Sequence, residues 1–257
     1  MEMKKQAQDI ALFIRPSIFS AYPRLLAAGS TRLGGVSQPP FASLNLGLST
    51  DDDPLAVSEN RRRFFAALGM DETHTASAYQ VHGDAVLHVE SPGRWEGYDA
   101  LVTRQTGVYL CVTVADCTPI LLWDPRQSVV AAVHAGWRGT SLRILSKTLE
   151  EMRHRYGTNP SDCIAYIGTC IDACDYEVGA DVADGFEPEF KHWDESRQRF
   201  FLDLKKANKA QLRHAGVPEV NIEVSPYSTV KDNDRFFSYR KEAGQTGRML
   251  YVIGIKP

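Results

Sequence analysis

Two short runs constrain this chain more than anything else in it: Val108–Ala115 (Val-Tyr-Leu-Cys-Val-Thr-Val-Ala) and Val129–Val133. Both are nearly continuous in apolar, largely β-branched residues and too short for helices, so they read as strands covered on both faces. Helices supply cover. Asp53 followed by Pro54 starts one, because proline at the first helical position gives up no needed donor. Val57, Phe64, Phe65 and Leu68 share a face of it, and it stops near Gly69. Arg61, Arg62 and Arg63 lie on the same helix, and at least two of them read as a solvated charged face. After the second run, Gly136–Gly139 turns the chain into a helix expected from near Ser141. There Leu142, Leu145, Leu149 and Met152 keep the helical period and Gly157 closes it.

Ile164–Ile167, Phe200–Leu202, Ile222–Val224 and Leu250–Ile255 are strand-like, and Tyr176–Phe186 and Lys205–His214 are helix-like. Within Arg24–Ser49, Gly34-Gly35 followed by alternating Leu44, Leu46 and Leu48 predicts a strand, a glycine turn and a second strand. Strands and helices interleave without a strict βαβα rhythm. The expected class is α+β (mixed α/β): a single domain over residues 1–257, core about 24–257, with a mixed β-sheet core flanked by helices.

A net charge of −3 gives no basic field for nucleic acid or an anionic membrane, so an anionic ligand must be met by a few placed arginines or a helix N-terminus. Met1–Arg15 has a lysine pair and only the short apolar stretch Ile10–Ile14, less than a secretory signal needs. No apolar run approaches the roughly 18–20 residues that span a bilayer. Five cysteines in 257 residues do not make a disulfide scaffold, which points to a reducing cytoplasm where thiols are free to bind metal or react. Cys111 and Cys163 lie in apolar runs and read as packed. Cys170 and Cys174 form a C-x3-C pair that could bind metal or oxidise, but with no second pair nearby it reads rather as loop packing.

Three segments each bring a soft or borderline metal ligand to the edge of a strand: Gln80-Val81-His82-Gly83, Ala115-Asp116-Cys117-Thr118 and Val133-His134-Ala135-Gly136. Two imidazoles and a thiolate suit catalytic zinc, which takes three protein ligands and keeps a fourth position open. The separations match no zinc-finger spacing, so only the fold could assemble such a site. Taken singly, each residue also has an ordinary reading, as a hydrogen-bonded histidine or a small buried hydrophobe. Residue types and spacing alone leave the matter open.

The order of motifs adds to this. Thr31-Arg32-Leu33-Gly34-Gly35-Val36-Ser37, Ser43-Leu44-Asn45-Leu46-Gly47 and Asn60-Arg61 precede Gln80-Val81-His82-Gly83 and Ala115-Asp116-Cys117. His134-Ala135-Gly136-Trp137-Arg138-Gly139, Phe236-Phe237-Ser238-Tyr239-Arg240 and Thr246-Gly247-Arg248-Met249 follow. From about Arg24 to the C-terminus this series resembles one bacterial family of the YfiH type. Its members are described as laccase-domain polyphenol oxidoreductases, peptidoglycan editing factors and purine nucleoside phosphorylases. The resemblance implies a zinc site at His82, Cys117 and His134. It also implies phosphorolysis of adenosine, inosine and methylthioadenosine, adenosine deamination as a further activity, and attributed copper binding and phenol oxidation. The chain departs from the family pattern at Ser228-Thr229, where a cysteine-threonine pair is usual. It departs again at Gly168-Thr169-Cys170-Ile171-Asp172-Ala173, where a Gly-Pro-x-Ile-Gly-Pro stretch is usual.

Physical chemistry ranks these activities. One zinc centre could serve attack on adenine C6 or orient phosphate at the ribose anomeric carbon. The helix start after His134, with Arg138 in its turn, is an expected phosphate contact. Arg32, Arg61 and Arg240 are further candidates, and Asn45 and Asn60 could meet base or ribose, although asparagines in such turns often cap backbone. Trp137 could stack on a purine or pack beneath the helix. Copper suits a His2Cys set, but multicopper chemistry needs many histidines, and His74, His88, His154, His192 and His214 show no His-x-His pairing. A metal-free alternative is a Cys117–His134 nucleophile pair of amidase type, with His82 or Asp116 orienting the imidazole. A zinc-stabilised scaffold is a non-enzymatic one, although structural zinc usually takes a fourth protein ligand.

Overall fold

The structure, a computed structural model, describes residues 12–257. The reading of the N-terminal segment therefore lies largely outside the described residues. One six-stranded sheet runs Phe13–Ile14 (β1), Leu25–Ser30 (β2), Met249–Ile255 (β15), Tyr109–Val114 (β7), Thr75–Tyr79 (β3), Gly93–Glu96 (β5). A second runs Ile222–Val224 (β14), Ile164–Ile167 (β10), Thr118–Asp124 (β8), Val129–Ala135 (β9), Ala100–Thr103 (β6), Val86–His88 (β4). Both mix parallel and antiparallel pairs. A small sheet of Glu177–Val178 (β11), Arg199–Leu202 (β13) and Lys191–Asp194 (β12) stands apart.

The period of two along the strands builds four layers. Leu110, Val112 and Val114 of β7, Tyr251 and Ile253 of β15, Leu121 and Trp123 of β8 and Val130 and Ala132 of β9 meet between the two large sheets. The alternate residues Tyr109, Cys111, Leu250 and Val252 face outward and are covered by Phe64, Phe65 and Leu68 of the helix Pro54–Leu68. On the opposite side, Ile120, Leu122, Val129, Ala131 and Val133 are covered by Leu145, Leu149 and Met152 of the helix Ile144–Tyr156 and by Leu212 of the helix Leu204–Ala215. β7 and β9, the two runs that dominate the sequence, are thus buried on both faces.

The helix starts and stops follow local chemistry. Asp53 caps the Leu55 amide at 2.9 Å ahead of Pro54, and Gly69 ends the helix at φ 74°. Arg62 and Arg63 pair with Glu59 on the solvent side, while Arg61 is buried. Among the described residues no helix is long and apolar enough to cross a membrane.

The fold departs from the sequence pattern in three places. The helix expected from near Ser141 is two helices, Trp137–Ser141 and Ile144–Tyr156, broken where Arg143 takes a left-handed φ of 60°. Tyr176–Phe186 is not a helix but β11 followed by one turn at Ala180–Ala183. The second strand expected around Leu44–Leu48 does not form. There the Asn60 amide nitrogen donates to the Ser43 and Asn45 carbonyls at 3.0 and 3.1 Å, and the Asn45 side chain accepts from the Gly47 amide at 3.0 Å. Side chains take the backbone partners that a strand ladder would have used.

Candidate metal centre and its cavity

Strand register, not proximity in sequence, assembles the centre. β9 is flanked by β8 and β6, with Thr118 opposite Ala135 and Ala100 opposite Val133. One residue beyond each pair, Cys117 comes level with Gly136 on one side of β9, and Asp99 comes level with His134 on the other. His134 shares the inward face of Val130 and Ala132. His82 arrives from the loop after β3, in a left-handed conformation with φ 58°. The ligand atoms of His82, Cys117 and His134 lie within 4.8 Å of one another, with the two imidazole rings edge-on at 4.8 Å between centroids.

Glycine makes the space. A Cβ on Gly136 would stand 3.1 Å from Cys117 Sγ and 3.1 Å from His82 Cδ2. A Cβ on Gly139 would stand 2.8 Å from the Gly83 carbonyl oxygen, so the short helix passes the His82 loop only as glycine. The cradle and the soft donor set fit a zinc-sized ion. Gly136→Ala is therefore expected to push two of the three candidate donors apart and to weaken metal binding at the cluster by about tenfold or more, as sub-ångström placement of ligands matters. A competition titration against a zinc chelator measures it, and unchanged affinity would show that the cradle is not needed.

Asp99 is 1% exposed and holds the cluster from behind. Its Oδ1 accepts from His134 Nδ1 at 2.7 Å and from the His82 amide at 3.0 Å; its Oδ2 accepts from the Val81 and Gly83 amides at 3.1 and 2.8 Å. Burial works to raise this carboxyl's pKa, but His134 and the backbone donors outweigh it, and the group titrates below the usual carboxylate range. Burial likewise opposes charge on Cys117 and His134. His134 and His82 together hold the thiol below its ordinary value, and Cys117 with Asp99 holds the His134 imidazole above its own. Of the two residues expected to orient the imidazole, neither does. Asp116 accepts from Thr229 Oγ1 and from the Arg240 amide, and Asp99 orients His134 instead.

The cluster lies in the wall of a cavity of about 510 Å³, within the range of small-molecule sites. Arg61, Arg94, Arg240 and Arg248 line it together with Tyr176 and Tyr239. Asp116 is the one carboxylate in that lining. Arg240 lies over the Tyr176 ring at 5.2 Å and Arg248 over Tyr239 at 5.5 Å.

The family model described as multi-copper polyphenol oxidoreductase laccase matches residues 26–256. The chain belongs to this family. Among curated relatives, a purine nucleoside phosphorylase of Deinococcus radiodurans is 47% identical over 89% of this chain and 88% of its own length. The purine nucleoside phosphorylase YlmD of Geobacillus stearothermophilus is 38% identical over 89% of both chains. The solved structure of YlmD from that organism superposes with a TM-score of 0.90 at 35% identity, covering 96% of this chain and 97% of that one. A Bacillus licheniformis protein, YfiH, gives a TM-score of 0.90 at 32% identity with the same coverage.

Within this family member, the other expected contacts divide. Arg61 and Arg240 reach the cavity; Arg32, Asn45, Asn60 and Arg138 do not line it. Arg32 spends its guanidinium on the Ala42 and Asn233 carbonyls and on Glu242. Asn60 and Asn45 are fully buried and bind backbone. Asn45 accepts from the Arg248 amide at 2.9 Å, so it shapes the cavity from one residue behind. Trp137 and Arg138 are exposed on the short helix outside the lining. The two departures from the family pattern meet in space, Cys170 bridging to Ser228 while Thr229 reaches Asp116, one residue before Cys117. Cys111 and Cys163 are buried as expected, whereas Cys170 is buried and Cys174 exposed.

Sequence reasoning did not single out Asp99, Arg94, Arg248, Tyr176 or Tyr239. Arg248 and Tyr239 lay inside the motifs already quoted. Asp99 carried no such signal, because β6, the strand it leads, is only four residues long and was not recognised.

Proposed function

We propose that this chain is a cytoplasmic, zinc-dependent purine nucleoside phosphorylase. It acts as one catalytic domain on adenosine, inosine and methylthioadenosine, and adenosine deamination is a further activity of the same site. One observation carries the reading: the His82–Cys117–His134 cluster opens into an arginine- and tyrosine-lined cavity of small-molecule size. The names of the relatives point the same way.

Zinc held by these three side chains would supply a Lewis-acid centre with an open coordination position. Copper competes for the same donors. The protein's own groups do the rest. Arg94, Arg240 and Arg248 bring positive charge to bound phosphate, Arg61 being already paired with Glu72, and the one carboxylate in the lining, Asp116, has both oxygens engaged elsewhere. Tyr176 and Tyr239 offer flat faces to the purine. With phosphate and nucleoside held together, an oxygen of hydrogen phosphate bonds to C1′ of the ribose as the C1′–N9 bond breaks, and the proton that the phosphate gives up goes to the departing base.

Inosine is expected to yield hypoxanthine and ribose 1-phosphate only when phosphate is present. Product analysis by chromatography with and without phosphate checks this, and equal cleavage without phosphate would make the protein a hydrolase.

A second reading is favoured by the line Asp99–His134–Cys117, which has the order of a thiol-hydrolase triad. It would make the protein an amidase acting on peptidoglycan, and would show as an acyl group carried on Cys117. Phenol oxidation draws less support, since His88 is bonded to Tyr156 and His192 stacks on Phe201, both outside the cavity lining.

A further inference from the structure

We propose that Asp99 is the positioning residue of the centre, one buried carboxylate that sets both the tautomer of His134 and the backbone that carries His82. The inference rests on reading His82, Cys117 and His134 as a metal centre. Asp99 touches no substrate and would not itself be a ligand.

A carboxylate has about four acceptor positions, two on each oxygen. Here four donors fill them. Oδ1 takes His134 Nδ1 and the His82 amide; Oδ2 takes the Val81 and Gly83 amides. Because Nδ1 must donate to Asp99, the neutral imidazole carries its hydrogen there and leaves Nε2 bare for the metal. The three successive amides of residues 81–83 converge on the same group, a concave backbone nest closed by an anion. That nest is what holds His82 at φ 58°, a conformation costly for a residue with a Cβ. Two ligands from segments 52 residues apart are therefore oriented by one side chain. The strand register adds a direct tie, since the His134 amide donates to the Asp99 carbonyl at 2.7 Å.

Asparagine has the same shape but cannot do both jobs. With its NH2 in place of Oδ2 it meets the Val81 and Gly83 amides donor against donor. With its NH2 in place of Oδ1 it faces the His82 amide and forces His134 to move its hydrogen to Nε2, the nitrogen the metal needs.

The test is a zinc competition titration on the parent and on Asp99→Asn, with thermal melts of both metal-free proteins and 15N-histidine NMR of the zinc-loaded parent. Zinc affinity of Asp99→Asn is expected to fall by about 10- to 100-fold, as for loss of other outer-shell partners. The zinc-loaded parent is expected to carry the ring hydrogen of His134 on Nδ1. Unchanged affinity in a folded Asp99→Asn overturns the proposal. If that variant does not fold, the NMR decides: a hydrogen on Nε2 of His134 overturns the proposal, and one on Nδ1 supports it. A parent that binds no zinc at all fails in a different way, removing the metal reading and this inference with it.

Discussion

Replacing Cys117 with alanine is expected to remove the metal and the phosphorolysis together while the fold survives. Cys117 sits in the turn joining β7 to β8, half-buried, with its sulfur facing His82 and His134. The substitution deletes one atom from a turn and leaves the sheets intact. What it takes away is the only anionic donor of the three, and two neutral imidazoles hold zinc far less well. Metal content is expected to drop from near one per chain to background, and kcat/KM for inosine to fall by at least about 100-fold. Elemental analysis, circular dichroism and steady-state kinetics on the same preparation measure all three. Metal retained while activity is lost would mean that the sulfur attacks substrate itself, and the amidase reading would replace the phosphorylase one.

Asn60 carries the second large effect, and of the opposite kind. Its side chain is fully buried and accepts from the Val36 amide at 2.7 Å while donating to Ser37 Oγ and to the carbonyls of Ser43 and Asn45. Alanine there leaves Ser37 Oγ and the Asn45 carbonyl, both buried, without this partner, each at a cost of about 1–3 kcal/mol. Asn60→Ala is expected to lose roughly 2–4 kcal/mol of stability, since part of that cost relaxes. The KM for inosine of the protein that remains folded should stay near that of the parent. Urea unfolding and kinetics at low temperature separate the two. A variant of near-parental stability with a raised KM would return Asn60 to the substrate.

These two residues show what could be read from sequence and what could not. Cys117, His82 and His134 were legible as metal-ligand types at strand ends and within family motifs, and the structure brings them together. Asn60, Asn45 and Arg32 stood in the same series of motifs, yet their side chains serve backbone. A motif marks a position that must hold a given residue without saying whether a ligand or a carbonyl needs it. Arg61 illustrates the mixture: it binds Glu72 and the Leu46 carbonyl and still reaches the cavity.

Local chemistry in the sequence determined the elements whose signals are short-range. The capped helix after Asp53, the two strands covered on both faces and the mixed α+β class all follow from residue pattern within about 15 positions. Only the tertiary structure decided how strands pair. β9 lies between β8 and β6 in a register that no local pattern specifies, because neighbouring strands choose each other through burial and side-chain fit over long separations. That register sets Cys117 beside Gly136 and Asp99 beside His134. It thereby made the centre, and with it the carboxylate that the sequence did not reveal.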